Sequence, residues 1–250
     1  MKESENWQMN NFYYIFKMNI ETVGLLVLLF IIVLVILVYF VYFKDPTKYI
    51  MIQEKPVFLV DDVNLKYSAT LMPESLEGEK YTFSFWVNVN NIPENGHWDS
   101  DVNIPKGIIS HFDSPSVYYL VKEGILRISI GYKNKLGVNS RYNINLRDFK
   151  YQIWQNVIIV VNNKQVDVYL NGKLTKSILL PNIPWISNDN LYIGQAGNNF
   201  FGHVALVEYV NDALSTNKVE ELYDKNKNSS ELEKELITYS EYYKEKMSKK

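Results

Sequence analysis

The segment HWDSDVN holds the residues that are best spaced for metal chemistry. Asp99, Asp101 and Asn103 alternate, which matches the first three oxygen ligands of a calcium-binding loop. The sixth position of such a loop is Ile104 here instead of glycine, and the twelfth is Ser110 instead of glutamate. Asp and Asn in such a segment are also typical of solvated turns. We therefore predict no metal and no cofactor, and keep calcium at these three residues as the open alternative.

Two tryptophans in loop-like sequence are candidates for ligand binding. Trp98 lies in the same polar segment, and Trp185 follows a proline in NIPWISND. An exposed indole can stack on a sugar or on a side chain of a partner. Trp86 and Trp154 instead fall in predicted strands, so we expect them in the core.

The acidic residues are not spaced for glycoside hydrolysis. A retaining enzyme needs two carboxyl groups about 5–5.5 Å apart, and on one face of a strand this requires acidic residues at alternate positions. In the β-rich region Asp167 is alone on its predicted strand, and Glu208 is flanked by Val207 and Tyr209. The Gly-rich segment GQAGNNFFG precedes a predicted strand instead of the helix that a nucleotide-binding loop opens. We therefore predict no catalytic residues and no enzyme.

The amino-acid composition predicts a folded chain that has no overall positive charge for binding nucleic acid. The chain has 250 residues, of which 47% are hydrophobic, so it can bury a sizeable core. Its formal net charge is −2, which gives no overall attraction to a polyanion, and we expect no nucleic-acid partner. The absence of cysteine excludes disulfides and thiolate metal sites.

An apolar segment near the N-terminus predicts a membrane-spanning helix. Residues 22–43 carry no charge and would extend about 33 Å as a helix, enough for a hydrocarbon core of about 30 Å. The segment is longer than the apolar region of about 7–15 residues in a cleaved signal peptide. We therefore predict a single-pass N-terminal anchor with bilayer lipid as a partner. Lysines on both sides leave open which side of the membrane the larger part faces.

The rest of the chain divides into four parts by pattern. We predict an N-terminal tail at residues 1–21, a stalk at 44–56, a β-sandwich at 57–226 and an amphipathic helix at 227–250. The apolar stripe of that last helix would pack on the sandwich or take a partner helix.

Short alternating segments predict an all-β sandwich domain. In YTFSFWVNVN, the residues Thr82, Ser84 and Trp86 share one face and bulky apolar residues occupy the other. Further on, WQNVIIVVNNKQVDVYLNGKL contains two strand patterns and then Asn171-Gly172, the strongest short signal for a type I′ hairpin. Many short strands with turn residues between them are typical of a two-sheet antiparallel jelly roll.

Three segments together resemble a known family. YTFSFWVNV, WQNVIIVVNNKQVDVYLNGKL and LYIGQAGNNFFGHVALVEYVNDALSTNKVEELY, in this order, resemble the laminin-G-like group of the concanavalin A-like lectin/glucanase superfamily. The resemblance covers about residues 57–225. It implies two curved antiparallel sheets whose concave face and edge loops often bind sugars, calcium or protein. The acidic pair that the family often carries in its last strand corresponds to Ala205 and Leu206 here, which departs from the pattern.

Two functional hypotheses follow from the anchor and the sandwich. The first is a non-enzymatic membrane-anchored module that makes protein contacts or scaffolds an assembly at a membrane. The bias toward Asn, Ile, Lys and Tyr is common in AT-rich genomes, and with this layout it suits a virion component of a large DNA virus, in the virion membrane. The alternative is a lectin-like receptor or adhesion protein that binds glycans.

Overall fold

The computed structural model describes residues 22–39, 47–59, 63–72, 79–90, 104–147, 149–185, 187–195 and 201–233, with residues 236, 241, 244, 245 and 248. The chain divides into two compact units, Met1–Pro46 and Thr47–Lys250. In the first unit the described residues form one helix, α1 (Thr22–Tyr39), with a mean hydropathy of 3.2 and none of it buried. By length and composition this helix could cross a membrane.

The second unit is built mainly of strands. In chain order they are β1 (Tyr49–Gln53), β2 (Val57–Leu59), β3 (Leu65–Tyr67), β4 (Lys80–Val89), β5 (Lys106–Ser110), β6 (Ser116–Leu120), β7 (Ile125–Lys133), β8 (Asn139–Leu146), β9 (Gln155–Asn162), β10 (Gln165–Leu170), β11 (Lys173–Leu179), β12 (Leu191–Ile193) and β13 (Gly202–Val210). Two helices follow, α2 (Thr216–Lys227) and α3 (Ser230–Glu233).

The described strands form two antiparallel sheets. Sheet A has the order β1-β13-β4-β9-β10-β11, with β2 also paired to β13. Sheet B has the order β3-β12-β5-β6-β7-β8. The main hydrophobic core lies between the sheets and includes Phe83 and Phe85 from sheet A and Ile128 and Ile130 from sheet B. The predicted two-sheet jelly-roll sandwich is therefore confirmed.

Sheet A is covered on its outer face as well. Trp86 points away from the main core and stacks on Tyr223 of α2, with ring centroids 5.6 Å apart. Val219 and Leu222 of the same helix are buried against sheet A. Sheet B has no such helix over β7 and β8 among the described elements, and their outward side chains are polar. The described parts of the two outer faces therefore differ, since α2 covers part of sheet A and no described helix covers β7 and β8.

The hairpin predicted at Asn171-Gly172 joins β10 to β11. Both residues have positive φ, 51° and 74°, as a type I′ turn requires. A side chain on Gly172 would come within 2.8 Å of Cδ1 of Tyr223, so glycine also allows α2 to pack against this turn. The turn therefore fixes the register of the hairpin and gives α2 the space to pack against it.

The predicted domain boundaries need one correction. The stalk at 44–56 is wrong, because Tyr49–Gln53 forms β1 and pairs with β13, with Tyr49 opposite Val210. A short apolar strand gains hydrogen bonds by pairing at a sheet edge, and prolines at its ends do not prevent this. Within the helix predicted at 227–250, Lys227 ends α2, Ser230–Glu233 forms α3, and most of the remaining residues lie outside the described ones. Residues 40–43 of the predicted membrane segment lie outside the described residues.

Candidate functional site

A depression of about 330 Å³ opens at one end of the outer face of sheet B. It is formed by the turn after β5, the first residues of β8 and the segment before β12. Its lining residues are Phe112, Asp113, Asn139, Ser140, Arg141 and Trp185. We call it the Phe112–Trp185 site.

The turn that carries Phe112 holds an unusual backbone. The N–H of Ser114 donates to the carbonyl of His111 at 2.9 Å, and the two residues between them, Phe112 and Asp113, have φ of 47° and 61°. This is the left-handed geometry that Asn and Gly normally supply, and a bulky residue there costs about 1–3 kcal/mol. Phe112 is nonetheless 57% exposed, so burial of its ring does not repay that cost. The turn therefore holds an aromatic ring at the surface on a backbone that is unfavourable for it.

Trp185 is fixed in place by several contacts. Its backbone N–H donates to the carbonyl of Gly131 at 3.3 Å, and its carbonyl accepts from Oγ of Ser114 at 2.6 Å. Its indole Nε1 donates to the carbonyl of Phe112 at 3.2 Å. The Phe112 and Trp185 rings lie 6.4 Å apart and are tilted by 38°. The site therefore presents two aromatic rings in fixed positions, the exposed ring of Phe112 and the half-buried ring of Trp185.

Asp113 and Arg141 form the polar wall of the site. Nε of Arg141 donates to Oδ2 of Asp113. The Asp113 side chain is 5% exposed and the Arg141 side chain 66%, so the carboxylate is buried behind a guanidinium that faces solvent. The N–H of Asp113 donates to Oγ of Ser116 at 2.9 Å, and its carbonyl accepts from the N–H of Gly131 at 2.8 Å. A guanidinium carries five N–H groups, and Asp113 accepts from the one on Nε. The other N–H groups of Arg141 can donate to a ligand.

His111 ties the turn to the neighbouring loop. Its Nδ1 lies 2.9 Å from the carbonyl oxygen of Ser114, and its Nε2 lies 3.0 Å from the carbonyl oxygen of Asp189. Burial lowers the pKa of His111 below its ordinary value, against the opposite effect of these two carbonyls. The imidazole thus links the two segments that carry Phe112 and Trp185.

The polar character of the site continues along β7 and β8. Oγ of Ser129 donates to Oδ1 of Asn143 at 2.7 Å, and Nε of Arg127 donates to Oδ1 of Asn145 at 3.0 Å. In each pair the two residues are opposite each other on β7 and β8, and the two pairs follow the Gly131–Arg141 pair along the strands. The site therefore opens onto a polar strip on sheet B.

The structure places one of the predicted site residues at this depression. Trp185 lies in its wall, and ligand binding by Trp185 stays a prediction. Trp98, Asp99, Asp101 and Asn103 lie outside the described residues. In the part of the chain that the structure describes, no group of three or more His, Asp or Glu side chains could hold a metal ion.

The other two tryptophans took different places. Trp86 is buried, but beneath α2 instead of between the sheets, and Trp154 is half-buried beside His203.

Sequence reasoning missed Phe112 and Arg141. For Phe112, the polar residues of the segment HFDSPS were the available signal for a turn.

The last strand carries no exposed acidic pair. Leu206 has φ of 47° at a bulge between Ala205 and Glu208, which shifts the pairing with β4. Glu208 then points under α2, where its two oxygens accept from Nζ of Lys225 at 3.1 Å and Nδ2 of Asn226 at 3.0 Å. Its side chain is 2% exposed, so the only acid of β13 holds the helix in place.

Comparison with known proteins identifies the family. The family profile Laminin_G_3, of the concanavalin A-like lectin/glucanases superfamily, matches residues 65–220. The chain belongs to this superfamily. A comparison with curated protein sequences gives no match.

Solved structures with the same fold include receptor-binding domains of toxins. The botulinum neurotoxin serotype G binding domain is 16% identical with a TM-score of 0.51, covering 73% of this chain and 47% of its own. The binding domain of botulinum neurotoxin DC, in complex with rat synaptotagmin II, is 16% identical with a TM-score of 0.50, covering 72% and 46%. This chain thus spans just under half of those structures. The likeness shows that this chain shares its fold with part of those domains.

Proposed function

We propose that the chain is a non-enzymatic module, anchored in a membrane by α1, whose Phe112–Trp185 site binds a protein partner. The observation that carries the proposal is the exposed Phe112 ring on a left-handed backbone beside Trp185. Aromatic side chains and arginine dominate the binding energy at protein interfaces, and this site combines two aromatic rings with Arg141. The binding domain of botulinum neurotoxin DC, of which this chain covers 46%, was solved in complex with rat synaptotagmin II, so a protein that contains this fold binds a protein partner.

The anchor is supported by the character of α1. The helix has 18 residues with a mean hydropathy of 3.2, and no part of it is buried by the rest of the chain. A helix of this kind must cover its apolar side chains with lipid or with another protein. In keeping with the AT-rich residue bias, we extend the proposal to the membrane of a virus particle, which detection of the chain in purified particles would test.

The experiment is site-specific photocrosslinking on full-length chain in its native membrane. A photoreactive amino acid replaces Ser140 at the rim of the site, and in the control it replaces Lys176 on β11 of the opposite sheet. We expect a discrete protein adduct at Ser140 that disappears with Trp185→Ala and is absent at Lys176. An adduct that survives Trp185→Ala would show that the site does not make the contact. Loss of the adduct after addition of free glycans would favour the lectin alternative instead.

Two further readouts separate the anchor from the binding site. Alkaline extraction should leave the full chain in the membrane pellet. If it releases the chain, the anchor is wrong whatever the crosslinking shows. Protease treatment of sealed membranes, read with an antibody to the C-terminus, then reports the side on which the sandwich lies.

A further inference from the structure

The most positively charged segment of the chain is the hairpin of β7 and β8. From Gly124 to Arg147 the sequence has five cationic residues and no acidic one, although the whole chain has a net charge of −2. The cations are Arg127, Lys133, Lys135, Arg141 and Arg147. We call this segment the basic hairpin and residues 133–139 its tip.

The tip exposes apolar side chains between its lysines. Leu136 is 86% exposed and Val138 is 56% exposed. Lys133 and Lys135 are exposed too, and neither is in an ion pair with any residue that the structure describes. A sequence of lysine, leucine and valine at a surface tip is suited to an interface where apolar groups enter lipid and ammonium groups remain at the headgroups.

The tip is an ordered turn, so Leu136 is held outward by its backbone. Oδ1 of Asn134 accepts from the N–H of Leu136 at 2.9 Å and from the N–H of Val138 at 3.0 Å. The N–H of Asn134 donates to the carbonyl of Val138 at 2.9 Å, and Gly137 takes a φ of 74°. These hydrogen bonds to Asn134 fix the backbone of residues 135–138. The leucine does not need to reorganise in order to insert into a membrane.

A neighbouring loop extends the apolar surface toward the Phe112–Trp185 site. Nδ2 of Asn182 donates to the carbonyl of Lys133 at 2.9 Å, which seats the loop beside the hairpin. The next residue, Ile183, is 44% exposed. Ile183 therefore lies between the tip and Trp185, and exposed apolar side chains follow the hairpin from the site toward its end.

We infer that the tip of the basic hairpin docks on the surface of an anionic bilayer. Charge decides the occupant: Arg141 is paired with Asp113, but Lys133 and Lys135 at the tip are in no ion pair with a described residue, and their positive charge complements phosphate-bearing lipid headgroups. The proposed anchor α1 would hold the chain at a bilayer. Contacts that are weak alone become effective when the partner surface is tethered nearby. Docking would give the sandwich a fixed face toward the membrane and leave the Phe112–Trp185 site at its rim.

The chain suits a direct test because it contains no cysteine. Leu136→Cys, in the full chain reconstituted into vesicles, takes a single environment-sensitive fluorophore. The matched control is Leu179→Cys on β11, a leucine that is 75% exposed and lies on the edge of sheet A. Vesicles of phosphatidylcholine alone are compared with vesicles that also contain phosphatidylserine, each with and without nitroxide-labelled lipid. Thermal melts of both labelled proteins confirm that each is folded.

We expect the probe at position 136 to shift to the blue and to be quenched by nitroxide lipid in the phosphatidylserine vesicles, whereas the probe at 179 does neither. Adding Lys133→Glu and Lys135→Glu to Leu136→Cys should abolish both signals, while Lys173→Glu and Lys176→Glu should not. Equal exposure of both probes to an aqueous quencher in both lipids would overturn the proposal. Equal docking on both lipids would overturn its electrostatic basis. Flotation of the chain with the vesicles reports the anchor separately.

Discussion

The Trp185 indole lies directly over Gly131, in the space where a side chain would be. A Cβ on Gly131 would lie 2.3 Å from Cζ2 and 2.5 Å from Cε2 of the ring. Such distances cannot be tolerated, so the ring must leave if the side chain is added. A glycine near the end of β7 is therefore the residue that allows Trp185 to form the wall of the site.

Gly131→Ala should displace Trp185 and lower the free energy of unfolding by about 1–3 kcal/mol, as overpacking does. The indole N–H signal of Trp185 should shift in an NMR spectrum, since its hydrogen bond to Phe112 is lost. In a Trp185→Ala background the same substitution should cost little, because the clash is gone. An unchanged indole signal in Gly131→Ala would show that the ring does not depend on this contact.

Phe112→Asn should stabilise the protein while it removes partner binding. Asn tolerates the left-handed backbone that costs a bulky residue energy, and the Phe112 ring gives up little burial. We expect an increase of about 1 kcal/mol in the free energy of unfolding, measured by urea denaturation. Phe112→Ala is the matched control, because it removes the ring but keeps an unfavourable residue in the turn. A loss of stability in Phe112→Asn would mean that the ring supports the fold.

Arg141→Gln should destabilise the protein more than Asp113→Asn. Removing the guanidinium leaves a buried carboxylate short of a partner, which costs about 1–3 kcal/mol. In Asp113→Asn the amide oxygen can still accept from Arg141, and the exposed guanidinium is hydrated. Thermal denaturation of both variants at one salt concentration measures the order. Equal losses would show that the pair acts through its charge attraction alone.

The fold was predictable from sequence where local pattern and tertiary structure agree. The alternation in β4 and the Asn171-Gly172 turn each encode their geometry within a few residues, and both match the structure. β1 was missed because its place depends on pairing with β13, more than 150 residues away in sequence. Trp185 was predicted as a candidate, but its grouping with Phe112 and Arg141 was missed for the same reason. Phe112, Arg141 and Trp185 meet only through the packing of a turn, an edge strand and a loop.

Asn226→Leu should weaken the attachment of α2 far more than Lys225→Met. Asn226 is buried and donates to Oε2 of Glu208, whereas Lys225 reaches Oε1 from a largely exposed position. Loss of the amide leaves a buried carboxylate oxygen without that donor, and the penalty is about 1–3 kcal/mol or more for a charged group. Hydrogen exchange of the α2 amides measures the effect. Equal protection in both variants would show that Val219 and Leu222 hold the helix without the polar contacts.

His203 should make the protein less stable as the pH falls. Its ring is buried, stacked on Phe58 with centroids 4.7 Å apart, and its Nδ1 has no hydrogen-bond partner in the described residues. Burial lowers the pKa of His203 to about 4 from an ordinary value near 6.5. Between these two pH values the unfolded chain takes up a proton that the native ring excludes, so the unfolded state gains stability as pH decreases.

The contribution of His203 to the free energy of unfolding should therefore be constant above about pH 6.5 and fall by about 3 kcal/mol on reaching pH 4. His203→Phe keeps a ring that can stack on Phe58 but cannot be protonated. Urea denaturation of both proteins from pH 7 to pH 4 gives two curves, and carboxylates that titrate in both cancel in their difference. The free energy of unfolding of the wild type minus that of His203→Phe should fall by about 3 kcal/mol from pH 6.5 to pH 4, because only the wild type loses this contribution. Parallel curves would show that His203 is protonated as easily in the native state as in the unfolded chain.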